Sequence, residues 1–343
     1  MRVLVTGHNG YIGSVMVPIL QAAGHEVVGL DSFFFEDCSL LQEDHRVPAL
    51  RKDLRDVRPW DLEGFGAVAH LAALCNDPLG DLHPEWTYDI NHKASVQLAS
   101  MARAAGVARF LHASSCSMYG AAGGDDLLSE EAPLRPLTPY AISKVRTEED
   151  VSKLADRSFS PVFMRNATAY GLSPRLRADV VLNNLVCWAH TTGRIRIMSD
   201  GTPWRPIVHV QDIARAFAAA LSAPREAIHN QAFNVGANGE NYQVRELAEI
   251  VRDTVPGCTV EYADGAGPDP RSYRVNFGKL SRTFPDFKPQ WNASFGAKDL
   301  YVALQEANVT LGDFQGRNYI RLSQIKHLLG SGRLDGTLRW TRR

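Results

Sequence analysis

Arg2-Val3-Leu4-Val5-Thr6-Gly7-His8-Asn9-Gly10-Tyr11-Ile12-Gly13 is the stretch on which the fold turns. Its first five residues read as a buried strand, and three glycines at three-residue spacing follow at once. A tight turn from strand to helix needs residues without a Cβ, so that backbone N–H groups approach a diphosphate. The helix that follows offers partial positive charge to the same anion. Glycines at this spacing are weak evidence alone. Here a strand precedes them, and Asp31 closes a second strand-like run about 20 residues on. The loop backbone of Gly7, Asn9, Gly10, Tyr11, Ile12 and Gly13 is therefore expected to hold a dinucleotide. A carboxylate at Asp31 accepts from both ribose hydroxyls and repels a 2′-phosphate, which favours NAD over NADP.

Outward from this loop, apolar runs at 26–30, 66–71, 109–114 and 161–165 alternate with helix-like stretches at 84–105 and 139–155. Such alternation predicts βαβ units and a parallel sheet with helices on both faces. The expected fold is α/β: a Rossmann-type doubly wound parallel sheet with a smaller C-terminal substrate lobe. The pattern loosens after Gly171. Residues 1–170 read as the NAD-binding domain. Residues 207–240 return to it, because 210–220 looks helical and 232–235 strand-like. Residues 171–206 and 241–310 form the substrate-binding lobe, and 311–343 a C-terminal extension that caps the lobe or joins a subunit contact.

The 343 residues carry 37 Lys+Arg against 38 Asp+Glu, a net charge of −1. This balance leaves no electrostatic footprint for nucleic acid or a membrane surface. No run of about 18 apolar residues appears, and no signal-peptide pattern precedes the first strand. Cys38, Cys75, Cys116, Cys187 and Cys258 are odd in number and scattered, with no CxxC. Free thiols, no metal site and a cytoplasmic location are expected.

Tyr140-Ala141-Ile142-Ser143-Lys144 sets Tyr and Lys at i and i+4, on one face of a helix. An ammonium beside a phenol lowers its pKa toward the range of a general base. The spacing alone is common. Upstream, the strand 109–113 runs into Ser114-Ser115-Cys116-Ser117-Met118-Tyr119-Gly120. Hydroxyls at the carboxyl end of a parallel strand sit where such sheets bind ligands. Ser115, Tyr140 and Lys144 together suit binding a sugar hydroxyl, removing its proton and passing hydride to nicotinamide. Asp53-Leu54-Arg55 reads either as a contact to the adenine edge or as a solvated loop.

Taken in order, these motifs resemble the extended short-chain dehydrogenases/reductases, in their nucleotide-sugar epimerase/dehydratase branch. The match spans about residues 1–310. It rests on the glycine loop, Asp31, Asp53, His70-Leu71-Ala72-Ala73, Ser115…Tyr119-Gly120, Tyr140/Lys144 and Arg165…Tyr170-Gly171. Arg205…His209-Val210-Gln211-Asp212 and Asp269…Lys279 continue it. The resemblance implies NAD beside Leu71, Ala72 and Ala73, Ser115 as catalytic hydroxyl, Tyr140 as base and Lys144 as its partner on the nicotinamide ribose. It also implies a nucleotide-diphosphate sugar as substrate, and a homodimer through 84–105 and 139–155.

The positions after Ser115 bear on the reaction. The related 4,6-dehydratases carry Asp-Glu there, and the decarboxylases usually keep the Glu. Here they are Cys116 and Ser117, so elimination lacks its acid. Small residues resemble the 4-epimerases. The 3,5-epimerases use a cysteine acid/base one position later, where Ser117 stands. Cys116 and Ser117 are carried as catalytic candidates, with a packed small residue as the plainer reading of Cys116. Epimerisation at C4 through a 4-keto sugar is the expected activity. A 3,5-epimerase, a keto-sugar reductase, a decarboxylase or dehydratase, and a non-catalytic NAD sensor are the alternatives.

For the substrate, the resemblance points to Asn184 at a phosphate and Arg205 at the nucleotide. Thr168 replaces the family's substrate-side Asn. Ala266 stands where a phosphate arginine is usual, and Arg271 is the substitute. Arg175 and Arg177 are candidates for phosphate or a sugar carboxylate. Asn76-Asp77-Pro78 reads as a sugar contact or as a simple turn. His209 reads as structural.

Overall fold

Alternate residues of the first strand pack into two different cores, and this builds the layers. In the computed structural model, which describes residues 1–41, 47–75, 77–120, 126–263, 267 and 271–341, β1 spans Arg2–Thr6. Val3 and Val5 face one core while Leu4 faces another. Burial on both sides is the rule for a parallel strand covered by helices. The remaining strands of this sheet are β2 (Glu26–Asp31), β3 (Ala49–Arg51), β4 (Ala67–His70), β5 (Arg109–Ser115), β6 (Ser160–Asn166) and β7 (Gln231–Val235). All pairs are parallel, in the order β7-β6-β5-β4-β1-β2-β3. The chain reverses its direction of winding between β1 and β4. A doubly wound sheet opens its ligand crevice at that point.

Helix α1 (Gly13–Ala22) lies on one face. Helices α2 (Ala94–Ala104) and α3 (Pro139–Ser152) follow, then α4 (Val210–Ser222). Met16 and Leu20 of α1 share a core with Ile213 and Phe217 of α4. Leu98 and Ala102 of α2 fill the opposite core with Phe110 and Phe159. The expected continuous helix 84–105 is broken. It comprises Pro84–Thr87, a wider π turn over Tyr88–Lys93, and α2. The wider turn carries Asn91, whose Oδ1 accepts from Leu74 N at 2.7 Å and whose Nδ2 donates to Leu74 O at 2.9 Å. That clamp fixes the loop after β4, a use typical of π turns near functional sites.

A second core joins Leu182 and Leu185, Leu247 and Val251, and Ala297 and Leu300, from the helices Val181–Thr192, Val244–Thr254 and Ala293–Glu306. The strand Trp204–His209 pairs with Thr168–Tyr170 and with Asn241–Gln243 beside it. Helix α5 (Arg321–Gly330) follows. Its Ile325 and Leu328, with Leu334 and Leu338, bury against Phe34, Leu74, Leu79, Trp86 and Ile90. The C-terminal extension therefore lies across the loops after β2 and β4, on the glycine-loop half, while Phe314 and Tyr319 enter the second core. Among the described residues, no helix is long and apolar enough to cross a membrane.

Candidate active site

The glycine loop meets the loop after β4 with no room to spare. Gly7 has φ +74°, and a Cβ there would lie 2.8 Å from Ala72 N. A Cβ on Gly13 would strike the Gly7 carbonyl and His8. The turn thus demands glycine for conformation at one position and for close approach at the other. Asp31 sits at the end of β2. Its Oδ2 accepts from Asn9 N at 3.0 Å and its Oδ1 from Phe33 N at 2.7 Å. Burial raises its pKa, with those amides opposing. Gly7, Gly10, Tyr11, Ile12, Gly13, Asp31, Asp53, Leu54, Leu71, Ala72 and Ala73 all line one cavity of about 1030 Å³. Asn9 is absent from that wall, its N–H bonded to Asp31 and its side-chain oxygen accepting from Arg175. Asp53 caps a short turn through Arg55 N at 2.8 Å and pairs with the Arg55 guanidinium.

The same cavity reaches Ser115, Ser117, Tyr140 and Lys144. Thr138 caps α3 by accepting from Ala141 N, and Pro139 opens it, which fixes the start of the helix that carries the Tyr–Lys pair. Lys144 Nζ donates to Ala113 O at 2.6 Å and lies 5.7 Å from the Tyr140 ring centroid. Burial lowers the Lys144 pKa. Burial raises that of the Tyr140 phenol well above its ordinary value, the neighbouring Cys75 adds to this, and a hydrogen bond with Ser115 opposes it. Ser115 Oγ also donates to Ser117 Oγ at 2.9 Å.

Two expectations change. Cys116 is fully buried and turned away from the cavity, with Sγ 3.1 Å from Arg165 O. Burial raises its thiol pKa, so it leaves the catalytic set. It starts the turn after β5, one step out of phase with Ser115. Arg175, expected at the substrate, is buried against the glycine loop instead, with Nε donating to Asn9 Oδ1 at 3.3 Å. It does not line the cavity. Asp77 and Arg271, both expected as substrate contacts, line the cavity and pair with each other at 2.9 Å.

Thr168, Asn184, Arg177 and Arg205 also line the cavity. Asn184 Nδ2 donates to Ala178 O at 2.9 Å. Arg177 pairs with Asp179 at 2.9 Å and donates to Cys75 O. Arg205 donates to Arg271 O. Asn76, Ala266 and Asp269 lie outside the described residues. His209 stacks on Trp291 at 3.9 Å, and burial pushes its pKa down to about 3. Sequence reasoning missed Cys75, Asn166, Tyr273 and Arg321, all of which face the cavity. None carried a local spacing signal.

A doubly wound sheet, a glycine cradle beside the Asp31 carboxylate, and a buried Tyr–Lys pair suit an NAD-dependent enzyme. The buried donors and the cradle fit that cofactor. Comparison with known proteins gives the family. The sequence profile of the NAD dependent epimerase/dehydratase family matches residues 3–236. A UDP-glucose 4-epimerase of Mycolicibacterium smegmatis is 32% identical over 297 residues, covering 82% of this chain and 89% of that one. Among solved structures, MoeE5 in complex with UDP-glucuronic acid and NAD has a TM-score of 0.77 at 27% identity. It covers 90% of this chain and 100% of its own. TunA, an NAD-dependent NDP-hexosamine 5,6-dehydratase of tunicamycin biosynthesis, matches the fold with a TM-score of 0.79 at 23% identity, over 91% and 100%. The chain belongs to the NAD dependent epimerase/dehydratase family. It is an NAD-dependent enzyme of nucleotide-sugar modification.

Proposed function

We propose that the protein inverts C4 of a nucleotide-diphosphate sugar. The observation that carries this reading is the wall around Tyr140. Ser115 and Ser117 stand there, and Cys116 faces the core. Among the described residues of the cavity, the carboxylates of Asp77 and Asp179 are tied to Arg271 and Arg177. Elimination and decarboxylation call for a free acid or base at a neighbouring carbon, whereas C4 inversion needs only one proton shuttle. The 32% identical relative, a UDP-glucose 4-epimerase, supports the same choice.

In this reading the Tyr140 phenolate takes the proton of the sugar 4-hydroxyl, with Ser115 orienting it. The Lys144 ammonium stabilises the phenolate. Bound NAD supplies reversible two-electron chemistry at C4. The walls hold the 4-keto sugar while it turns about its link to the diphosphate, and the phenol returns the proton to the oxygen on the other face. Arg177, Arg205, Arg271, Asn184, Thr168 and Asp77 are the proposed substrate contacts. Asp31, Asp53 and the loop residues are the proposed cofactor contacts. A homodimer through 84–105 and 139–155 and a cytoplasmic site of action belong to the same proposal.

A second reading, inversion at C3 or C5, has one observation in its favour. Cys75 lines the same cavity as Tyr140 and Lys144. Product analysis separates the readings. Incubation with UDP-glucose, UDP-galactose and UDP-glucuronic acid is expected to interconvert C4 epimers with no net NADH. Release of carbon dioxide, loss of water or stoichiometric consumption of added NADH refutes the proposal.

A further inference from the structure

The C-terminal extension brings into the crevice a guanidinium that the chain itself leaves partly unsatisfied. Arg321, the first residue of α5, is 6% exposed and lines the cavity beside Ile320. Its Nη2 donates to Arg175 O at 2.7 Å, and its guanidinium lies 4.4 Å from the Phe35 ring centroid. Its Nη1 is buried with no hydrogen-bond partner among the described residues. A buried cation with an idle donor is unfavourable unless an anion completes it. Burial, with Arg177 nearby, pushes its pKa down to about 10.

The start of α5 adds donors of its own. Its cap residue, Ile320, offers no side-chain acceptor, and no acidic residue stands in its first turn. The free N–H groups and the helix dipole favour an anion there.

Arg321 meets Arg175, Arg177 and Asp179 of the segment 171–206 on one side and the glycine-loop half on the other. Phe35 lies in the loop that leaves β2 just after Asp31. Gln324 Nε2 donates to Phe34 O in that loop at 3.0 Å. Arg175, whose carbonyl holds Arg321, reaches Asn9 of the glycine loop. Further along the extension, Trp340 Nε1 donates to Ser32 O at 2.6 Å, and Arg55 donates to Thr337 O at 2.7 Å. Arg205 and Arg271, by contrast, interact with each other elsewhere on the wall.

We propose that the C-terminal extension is a strap over bound NAD, in which Arg321 and the amino end of α5 donate to the dinucleotide's diphosphate. The strap rests on NAD being the cofactor and is independent of the sugar or the carbon inverted. A nucleotide sugar carries the same diphosphate chemistry, so the test sets the two against each other.

NAD-stripped full-length protein is titrated with NAD, adenosine and UDP, using wild type, Arg321→Gln and Arg321→Lys. Loss of charge-assisted donors predicts that Arg321→Gln weakens NAD by roughly 10- to 100-fold. Adenosine and UDP stay within about twofold, and Arg321→Lys recovers part of the loss. Unchanged NAD affinity, or a loss for UDP in place of NAD, overturns the strap. A second measurement needs no variant. In the wild type, backbone amides of α5 exchange more slowly when NAD is added and not when UDP is added. Equal exchange with and without NAD overturns it.

Discussion

At Tyr140 opposing influences meet. Burial raises the phenol's pKa, the Ser115 hydrogen bond lowers it, and the Lys144 ammonium lies over the ring. A base whose pKa stands above neutrality is mostly protonated, so its active form grows with pH. kcat/KM is therefore expected to climb as pH rises through neutrality. Lys144→Met removes a positive charge and is expected to move that limb to higher pH, read from pH–rate profiles. A limb that moves lower contradicts the pairing. Tyr140→Phe is expected to cut turnover by roughly 10²- to 10⁴-fold while NAD remains bound, checked by assay and by the cofactor content of the purified variant. These residues were legible in the sequence because i,i+4 spacing and a strand end are local facts. The orientation of Cys116 was not, since it depends on how β5 passes into its turn. Nor was the pairing of Asp77 with Arg271, which joins residues 194 apart in the chain.

Among elements, the turn from β1 to α1 is the most tightly specified. Gly7→Ala meets both a left-handed φ and the Ala72 backbone. Strain of this kind costs about 1–3 kcal/mol. A lower Tm together with loss of NAD binding is expected, and an unperturbed variant contradicts the cradle geometry. A second test concerns the strand Asn241–Gln243 and the helix Ala293–Glu306. Glu240 lies between them, accepting from Ala293 N at 3.0 Å and from Tyr242 at 3.1 Å. Burial raises its pKa from 4.5 to about 7. Its folded state thus holds a proton that the unfolded chain releases. The stability it contributes is full below the unfolded value and is lost as pH rises through the folded one. Tm is expected to fall between about pH 5 and pH 8, and Glu240→Gln to flatten that fall. An unchanged slope in the variant contradicts the assignment. Strands were readable from apolar runs buried on both faces. The π turn at Tyr88–Lys93 was not, because only the tertiary contact of Asn91 with Leu74 rewards it.

Across the whole molecule, reach along the chain decides what the sequence reveals. The glycine-loop half announces itself within its first 31 residues, where loop, strand and carboxylate are close neighbours. The C-terminal strap does not, for its contacts join positions such as Gln324 and Phe34, 290 residues apart. One cavity runs from the glycine loop past Tyr140 to Asn184 and Arg205, and the proposed inversion is placed at Tyr140. Oxidation and re-reduction at one carbon leave a signature in heavy water. The enzyme is incubated with UDP-glucose and UDP-galactose in D2O, and the recovered nucleotide sugars are examined by mass spectrometry and NMR. C4 inversion within one active site predicts the C4 epimer with no deuterium on any carbon and no net NADH. Solvent deuterium at C3, C5 or C6 would contradict it, since that label marks enolisation or elimination in place of hydride return.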